Sequence, residues 1–77
     1  MKTIALLGST GSIGVSTLAL VREFPERFRV HGMVAGQNLL LLAKQVKEFS
    51  PSCVAIRNEQ DVPRLRRLLG NHKVEIL

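Results

Sequence analysis

The chain has 77 residues, 45% of them hydrophobic, with eleven Lys and Arg against six Asp and Glu for a net charge of +5. That length holds one small domain at most, and no apolar stretch approaches the roughly 20 residues that a membrane span requires. The single cysteine, Cys53, excludes an internal disulfide and fits a reducing, cytosol-like compartment; basic residues are scattered and aromatic ones few, which argues for solvated helix faces and against a nucleic-acid surface.

Met1-Lys2-Thr3 leads into a short apolar run with no cleavage-type segment, so no secretory leader is read. Thr3 to Leu7 reads as a buried strand, short and continuously apolar, stopped by Gly8. A helix follows from about Gly11 or Ser12, with Thr10 or Ser12 available to cap it and Ile13, Thr17, Leu20, Val21 and Phe24 as its inward stripe. Pro25 ends that helix. Phe28 to Ala35 reads as the second strand. Asn38 is a good N-cap for a helix over Leu39 to Phe49, whose apolar face is Leu39, Leu42, Ala43, Val46 and Phe49. Ser50-Pro51 breaks it. Cys53 to Ile56 is a third strand, with Cys53 expected as a small buried residue. Asn58 and Asp61 are both able to cap a third helix, in which Pro63 fits only the first turn, Val62, Leu65, Leu68 and Leu69 form the stripe, and Gly70 is the stop. Val74 to Leu77 reads as a fourth strand.

The order βαβαβαβ implies an α/β fold: a Rossmann-like, doubly wound parallel sheet with right-handed crossovers. Such a sheet usually has about six strands. This chain stops on the fourth, with apolar Val74, Ile76 and Leu77 at its end. The expectation is a partial, truncated fold in which residues 1–77 form the amino-terminal part of a dinucleotide-binding domain.

Between the first strand and first helix lies Gly8-Ser9-Thr10-Gly11-Ser12-Ile13-Gly14, a G-x-x-G-x-x-G loop. Strand, glycine turn and helix in that order form a phosphate cradle. The glycines permit a tight turn and close backbone approach, and the helix start supplies unpaired N–H groups and a positive dipole end. Ser9, Thr10 and Ser12 add hydroxyls, and Gly14 lets the helix pack closely. No Lys-Ser or Lys-Thr follows the last glycine, so this is not a Walker loop. The second strand ends in Ala35-Gly36-Gln37-Asn38. An NAD site places a carboxylate there for the ribose 2′-hydroxyl. Its absence removes a repulsion from a 2′-phosphate, and the amides of Gln37 and Asn38 can donate, so the turn favours NADP(H). Reaction machinery is missing from the pattern. His31 sits mid-strand and His72 in a surface turn, and Glu23, Glu26, Glu48, Glu59, Asp61 and Glu75 show no pairing or metal-ligand spacing.

Ile4 to Gly14, Ser16-Thr17-Leu18, Phe28-Arg29-Val30, Val34 to Asn38 and Phe49-Ser50-Pro51 together resemble the amino-terminal end of the 1-deoxy-D-xylulose 5-phosphate reductoisomerase family, from Lys2 to about Ile56. The resemblance implies an NADPH-dependent enzyme of the non-mevalonate isoprenoid pathway, bacterial and cytoplasmic here. It implies a homodimer when full length, acting on a phosphorylated sugar with Mg²⁺ or Mn²⁺ held by residues outside this chain, and no nucleic-acid or membrane partner. Thr10, Gly11, Ser12 and Ile13 match its pyrophosphate loop, and Gly36, Gln37 and Asn38 its adenosine-ribose turn; Gly8, which opens the cradle, is expected to bind the coenzyme with them. The family commonly has Lys where this chain has Gln37. Gln37 hydrogen-bonds without pairing a charge, which weakens NADP selectivity by the ~0–1 kcal/mol of an exposed ion pair and does not reverse it.

Two other readings stay open at this point: another NADP-dependent reductase with a G-x-x-G-x-x-G loop, and a non-catalytic nucleotide-sensing module. Residues beyond Leu77 separate them. An acidic metal cluster belongs to the first family, a cysteine nucleophile or Tyr-x-x-x-Lys pair to the other reductases, and a DNA-binding or partner-binding domain to the sensor.

Overall fold

Strands and helices alternate as the apolar runs and turn residues predict. The structure is a computed structural model and describes residues 1–77. In order they form β1 (Lys2–Leu7), α1 (Ser12–Glu23), β2 (Phe28–Ala35), α2 (Leu39–Phe49), β3 (Cys53–Ile56), a short 3-10 turn (Glu59–Asp61), α3 (Val62–Leu69) and β4 (Glu75–Ile76). The four strands are parallel and lie in chain order, β1-β2-β3-β4. Right-handed crossovers that always step the same way keep their helices on one face of the sheet. There Leu18 and Val21 of α1, Leu42, Ala43 and Val46 of α2, and Leu65 and Leu69 of α3 form one cluster with Val30, Met33, Ala35 and Val54. The opposite face is bare: Thr3, Ala5 and Leu7 of β1 and Val34 of β2 are exposed on it, although parallel sheets are ordinarily covered on both sides.

Two local details depart from simple periodicity. In α1 the inward residues are Gly14, Leu18 and Val21, while Ile13, Leu20 and Phe24 of the expected stripe are exposed. The close seat of Gly14 against the loop before it fixes the rotation of the helix and turns Ile13 and Leu20 outward. In β2 the pairing with β1 slips between Ile4 and Ala5, which pair with Val30 and Gly32. His31 is the extra, bulged residue, so Val30 and Met33 share the core face although three positions apart. Cys53 is half-buried and not enclosed, because it lies on the bare face, where its thiol sits 3.9 Å from the His31 carbonyl.

The helix ends follow capping chemistry. Asn38 Oδ1 accepts from the Leu41 N–H at 3.2 Å, as expected of an N-cap. Asn38→Ala removes that acceptor and is expected to cost about 1 kcal/mol. For a domain of this size that lowers the melting midpoint by roughly 4–8 °C in a coenzyme-free thermal melt. Neither Asn58 nor Asp61 caps through its side chain: Asn58 precedes the 3-10 turn, Asp61 precedes α3, and Pro63 sits in the first turn. Gly70, at φ 62°, closes α3 with its N–H on the Arg66 and Arg67 carbonyls. On the surface, Arg22 grips Glu48 through two of its guanidinium nitrogens, Nε to Oε2 and Nη2 to Oε1, the latter at 2.7 Å. That hydrogen bond holds the Glu48 carboxyl below its usual range and raises the Arg22 value. The pair joins α1 to α2 in solvent, where such pairs contribute little.

Candidate coenzyme site

The carboxyl ends of β1, β2 and β3 meet the glycine loop, the place where open α/β sheets bind ligands. Gly8 turns the chain out of β1 at φ 76°, a left-handed conformation that suits glycine. Its N–H and that of Ser9 both donate to the Val34 carbonyl, at 2.7 and 3.1 Å. Gly11 N–H then closes the turn on Gly8 O at 3.0 Å. The loop is thus tied to β2, and a third tie comes from α2: the Gln45 side-chain amide donates to Ser9 O at 2.8 Å in the interior.

α1 opens from Gly11 with no side-chain cap, so the expected capping by Thr10 or Ser12 does not occur. The first intrahelical bond runs from Val15 N–H to Gly11 O at 2.9 Å. The N–H groups of Ser12, Ile13 and Gly14 have no backbone acceptor, and they carry the positive end of the helix dipole. Helix and loop approach so closely that a Cβ on Gly14 would lie 2.7 Å from Ser9 Cα and nearer still to Gly8 O.

An open groove of about 470 Å³ lies at these strand ends, lined by Gly8, Val34, Ala35, Gly36, Ile56 and Arg57. Of the residues predicted from sequence, Gly8 and Gly36 line it directly. Thr10, Gly11, Ser12 and Ile13 follow Gly8 in the loop and first helical turn, and Gln37 and Asn38 lead away from Gly36. Gln37 is exposed, and its carbonyl accepts from Leu39 N–H at 3.0 Å. Asn38 spends its Oδ1 on the cap and keeps its amide N–H free to donate. The amide of Gly8 is already used, so its contribution is a backbone surface without a side chain. No carboxylate lines the groove, and its single cation is Arg57. Gln45 and Arg57 were not singled out by the sequence pattern. No three His, Cys, Asp or Glu side chains converge into a metal-holding group, and no helix is long and apolar enough to cross a membrane.

This arrangement suits a ligand with a diphosphate bridge. Uncapped amides suit an anion, glycines permit its close approach, and the β2 turn presents amide donors without a repelling carboxylate.

The sequence profile described as 1-deoxy-D-xylulose 5-phosphate reductoisomerase matches residues 4–77. Relatives of that name include one from Pelodictyon phaeoclathratiforme, 51% identical over 76 residues that make up 99% of this chain and 20% of the relative. Another, from Chlorobaculum tepidum, is 51% identical over 77 residues, 100% of this chain and 20% of the relative. The chain thus spans about a fifth of the length of the curated relatives it matches. Among solved structures, the Zymomonas mobilis enzyme in complex with NADPH superposes with a TM-score of 0.90 at 32% identity, over 97% of this chain and 20% of that one. A DOX-P reductoisomerase in complex with magnesium superposes at 0.92 with 30% identity, over 100% of this chain and 20% of that one. The profile match over residues 4–77, the whole-chain similarity to these relatives and the shared fold agree, and the chain belongs to the 1-deoxy-D-xylulose 5-phosphate reductoisomerase family.

Proposed function

We propose that this chain is the amino-terminal, NADPH-binding portion of an enzyme that rearranges 1-deoxy-D-xylulose 5-phosphate and reduces the product to 2-C-methyl-D-erythritol 4-phosphate, a step of non-mevalonate isoprenoid synthesis. The observation that carries the reading is the set of unpaired amides at Ser12, Ile13 and Gly14 beside a helix contact too close for any side chain. Thr10, Ser12 and Ile13 hold the diphosphate through N–H and hydroxyl donors, while Gly11, whose N–H is bound to Gly8 O, lets the backbone approach it without a side chain, and Gly8 keeps the turn open. Gly36, Gln37 and Asn38 receive the adenosine ribose. Bound NADPH supplies a hydride; this chain's residues bind and orient the coenzyme.

On this reading the metal, Mg²⁺ or Mn²⁺, and the phosphorylated sugar are held by residues outside this chain. The bare sheet face supports a portion of a larger fold. A bacterial setting, in line with the organisms of the relatives, and a cytoplasmic homodimer, as the family resemblance implies, complete the reading.

Calorimetric titration tests it. The chain is titrated alone and grafted in place of the matching 77 residues of the Chlorobaculum tepidum relative, with NADPH, NADP⁺ and NADH. Micromolar NADPH binding and weaker NADH binding are expected. A graft that is folded by circular dichroism yet gives no heat with any of them removes the assignment.

A further inference from the structure

At the end of β3 stands a cation that the glycine loop does not explain. Ala35 of β2 pairs with Ile56 of β3, so the next residue of each strand, Gly36 and Arg57, emerges at the same rim. Both line the groove that also contains Gly8. Arg57 is exposed. The one ion pair of the chain is Arg22–Glu48, so neither Glu59 nor Asp61 in the following turn neutralises Arg57, and no carboxylate lines the groove. An unpaired guanidinium at the edge of an anion-free groove is a site for a phosphate.

The position within the groove narrows which phosphate. The diphosphate amides lie at the start of α1, on the β1 side. Arg57 lies on the far side of Gly36, at β3, one strand spacing of about 4.8 Å beyond β2. Resting on the NADPH reading above, we propose that Arg57 recognises the 2′-phosphate of the coenzyme and sets the preference for NADPH over NADH. The turn residue Gln37 contributes a neutral donor; the guanidinium contributes the charge and a planar fork of N–H groups that matches two phosphate oxygens. The preference is therefore carried by the neighbouring strand and not by the β2 turn itself.

The test uses the full-length graft with Arg57→Gln, Arg57→Lys and Arg57→Gln combined with Gln37→Lys, and reads dissociation constants for NADPH and NADH. Arg57→Gln is expected to weaken NADPH about tenfold, the lower range for a hydrogen bond to a charged group, with NADH changed less than about twofold. Arg57→Lys retains most of the NADPH affinity, and Gln37→Lys restores it by returning a cation to the same rim. Raising the salt concentration narrows the gap between parent and Arg57→Gln. Equal weakening of NADPH and NADH overturns the proposal, because it marks stacking on the adenine that both coenzymes share. Unchanged NADPH affinity overturns it too. A parent graft that binds neither coenzyme overturns the NADPH reading itself, before any variant is compared.

Discussion

Gly14→Ala is expected to lose about 2 kcal/mol of stability and more than tenfold in NADPH affinity. The added methyl group would sit 2.7 Å from Ser9 Cα and 2.8 Å from Ser9 C, and closer still to Gly8 O. These are backbone atoms, so no rotamer change relieves the overlap. Nor can the loop withdraw freely. Gly8 and Ser9 N–H are bound to Val34 O, Gly11 N–H to Gly8 O, and Ser9 O to Gln45. Either these bonds stretch or α1 tilts away, carrying the unpaired amides of Ser12 and Ile13 with it. Overpacking of this kind costs ~1–3 kcal/mol, and contact with a tethered backbone puts it at the upper end. Alanine's better helix propensity returns about 1 kcal/mol. The net loss lowers the melting midpoint by about 10 °C at the scale of a 60–100-residue domain. Gly36→Ala is the control for stability: a Cβ there meets nothing within 4 Å, and Gly36 has no positive φ. Thermal melts with parallel NADPH titrations decide the matter. A Gly14→Ala protein that melts with the parent and binds NADPH equally well would show that the close helix–loop contact is not required.

Much of this architecture was legible because its signals are local. β3 lies where a continuous apolar run meets turn residues, β2 where apolar Phe28, Val30, Met33 and Val34 run up to the Gly36 turn, and the α2 stripe and its Asn38 cap follow from spacing. The glycine loop was visible as a motif. The rotation of α1 was not, because periodicity counts apolar side chains. By that measure Ile13, Leu20 and Phe24 outweigh Gly14, although the glycine, having no side chain, marks the contact face. A rule that places the last glycine of the loop inward would have selected Gly14, Leu18 and Val21. The bulge at His31 left no trace in the sequence, since it depends on how β1 and β2 pair. Gln45 lies outside the apolar stripe of α2, beside Lys44, so the pattern did not single it out; its burial depends on the loop that comes to meet it. Arg57 looked like one of many scattered bases. Its meaning depends on strand register, which sets it beside Gly36 across a parallel pair.

Gln45→Ala carries the second large effect. Gln45 is 5% exposed, and its Nε2 supplies the bond received by Ser9 O. Truncation leaves that carbonyl unpaired in the interior, at a cost of ~1–3 kcal/mol, and frees the glycine loop from α2. Denaturant melts should show the loss, and NADPH affinity should fall with it. Two further substitutions separate the hydrogen bond from packing. The Ser9 hydroxyl is buried with no partner, so Ser9→Ala removes an unsatisfied group while keeping the backbone carbonyl, and is expected to be neutral or stabilising. Gln45→Glu keeps the shape but can donate to Ser9 O only when protonated. Burial against a carbonyl oxygen raises the introduced carboxyl's folded pKa above its unfolded value of about 4.3. The sign follows: the protonated form's contribution is fully present below the unfolded pKa and is lost as pH rises through the folded one. Gln45→Glu should therefore approach the parent in acid and fall behind it towards neutrality, while the Gln45→Ala deficit stays level with pH. A Gln45→Glu deficit that is equally flat would mean that the side chain fills space at this position and its hydrogen bond contributes nothing to holding the loop.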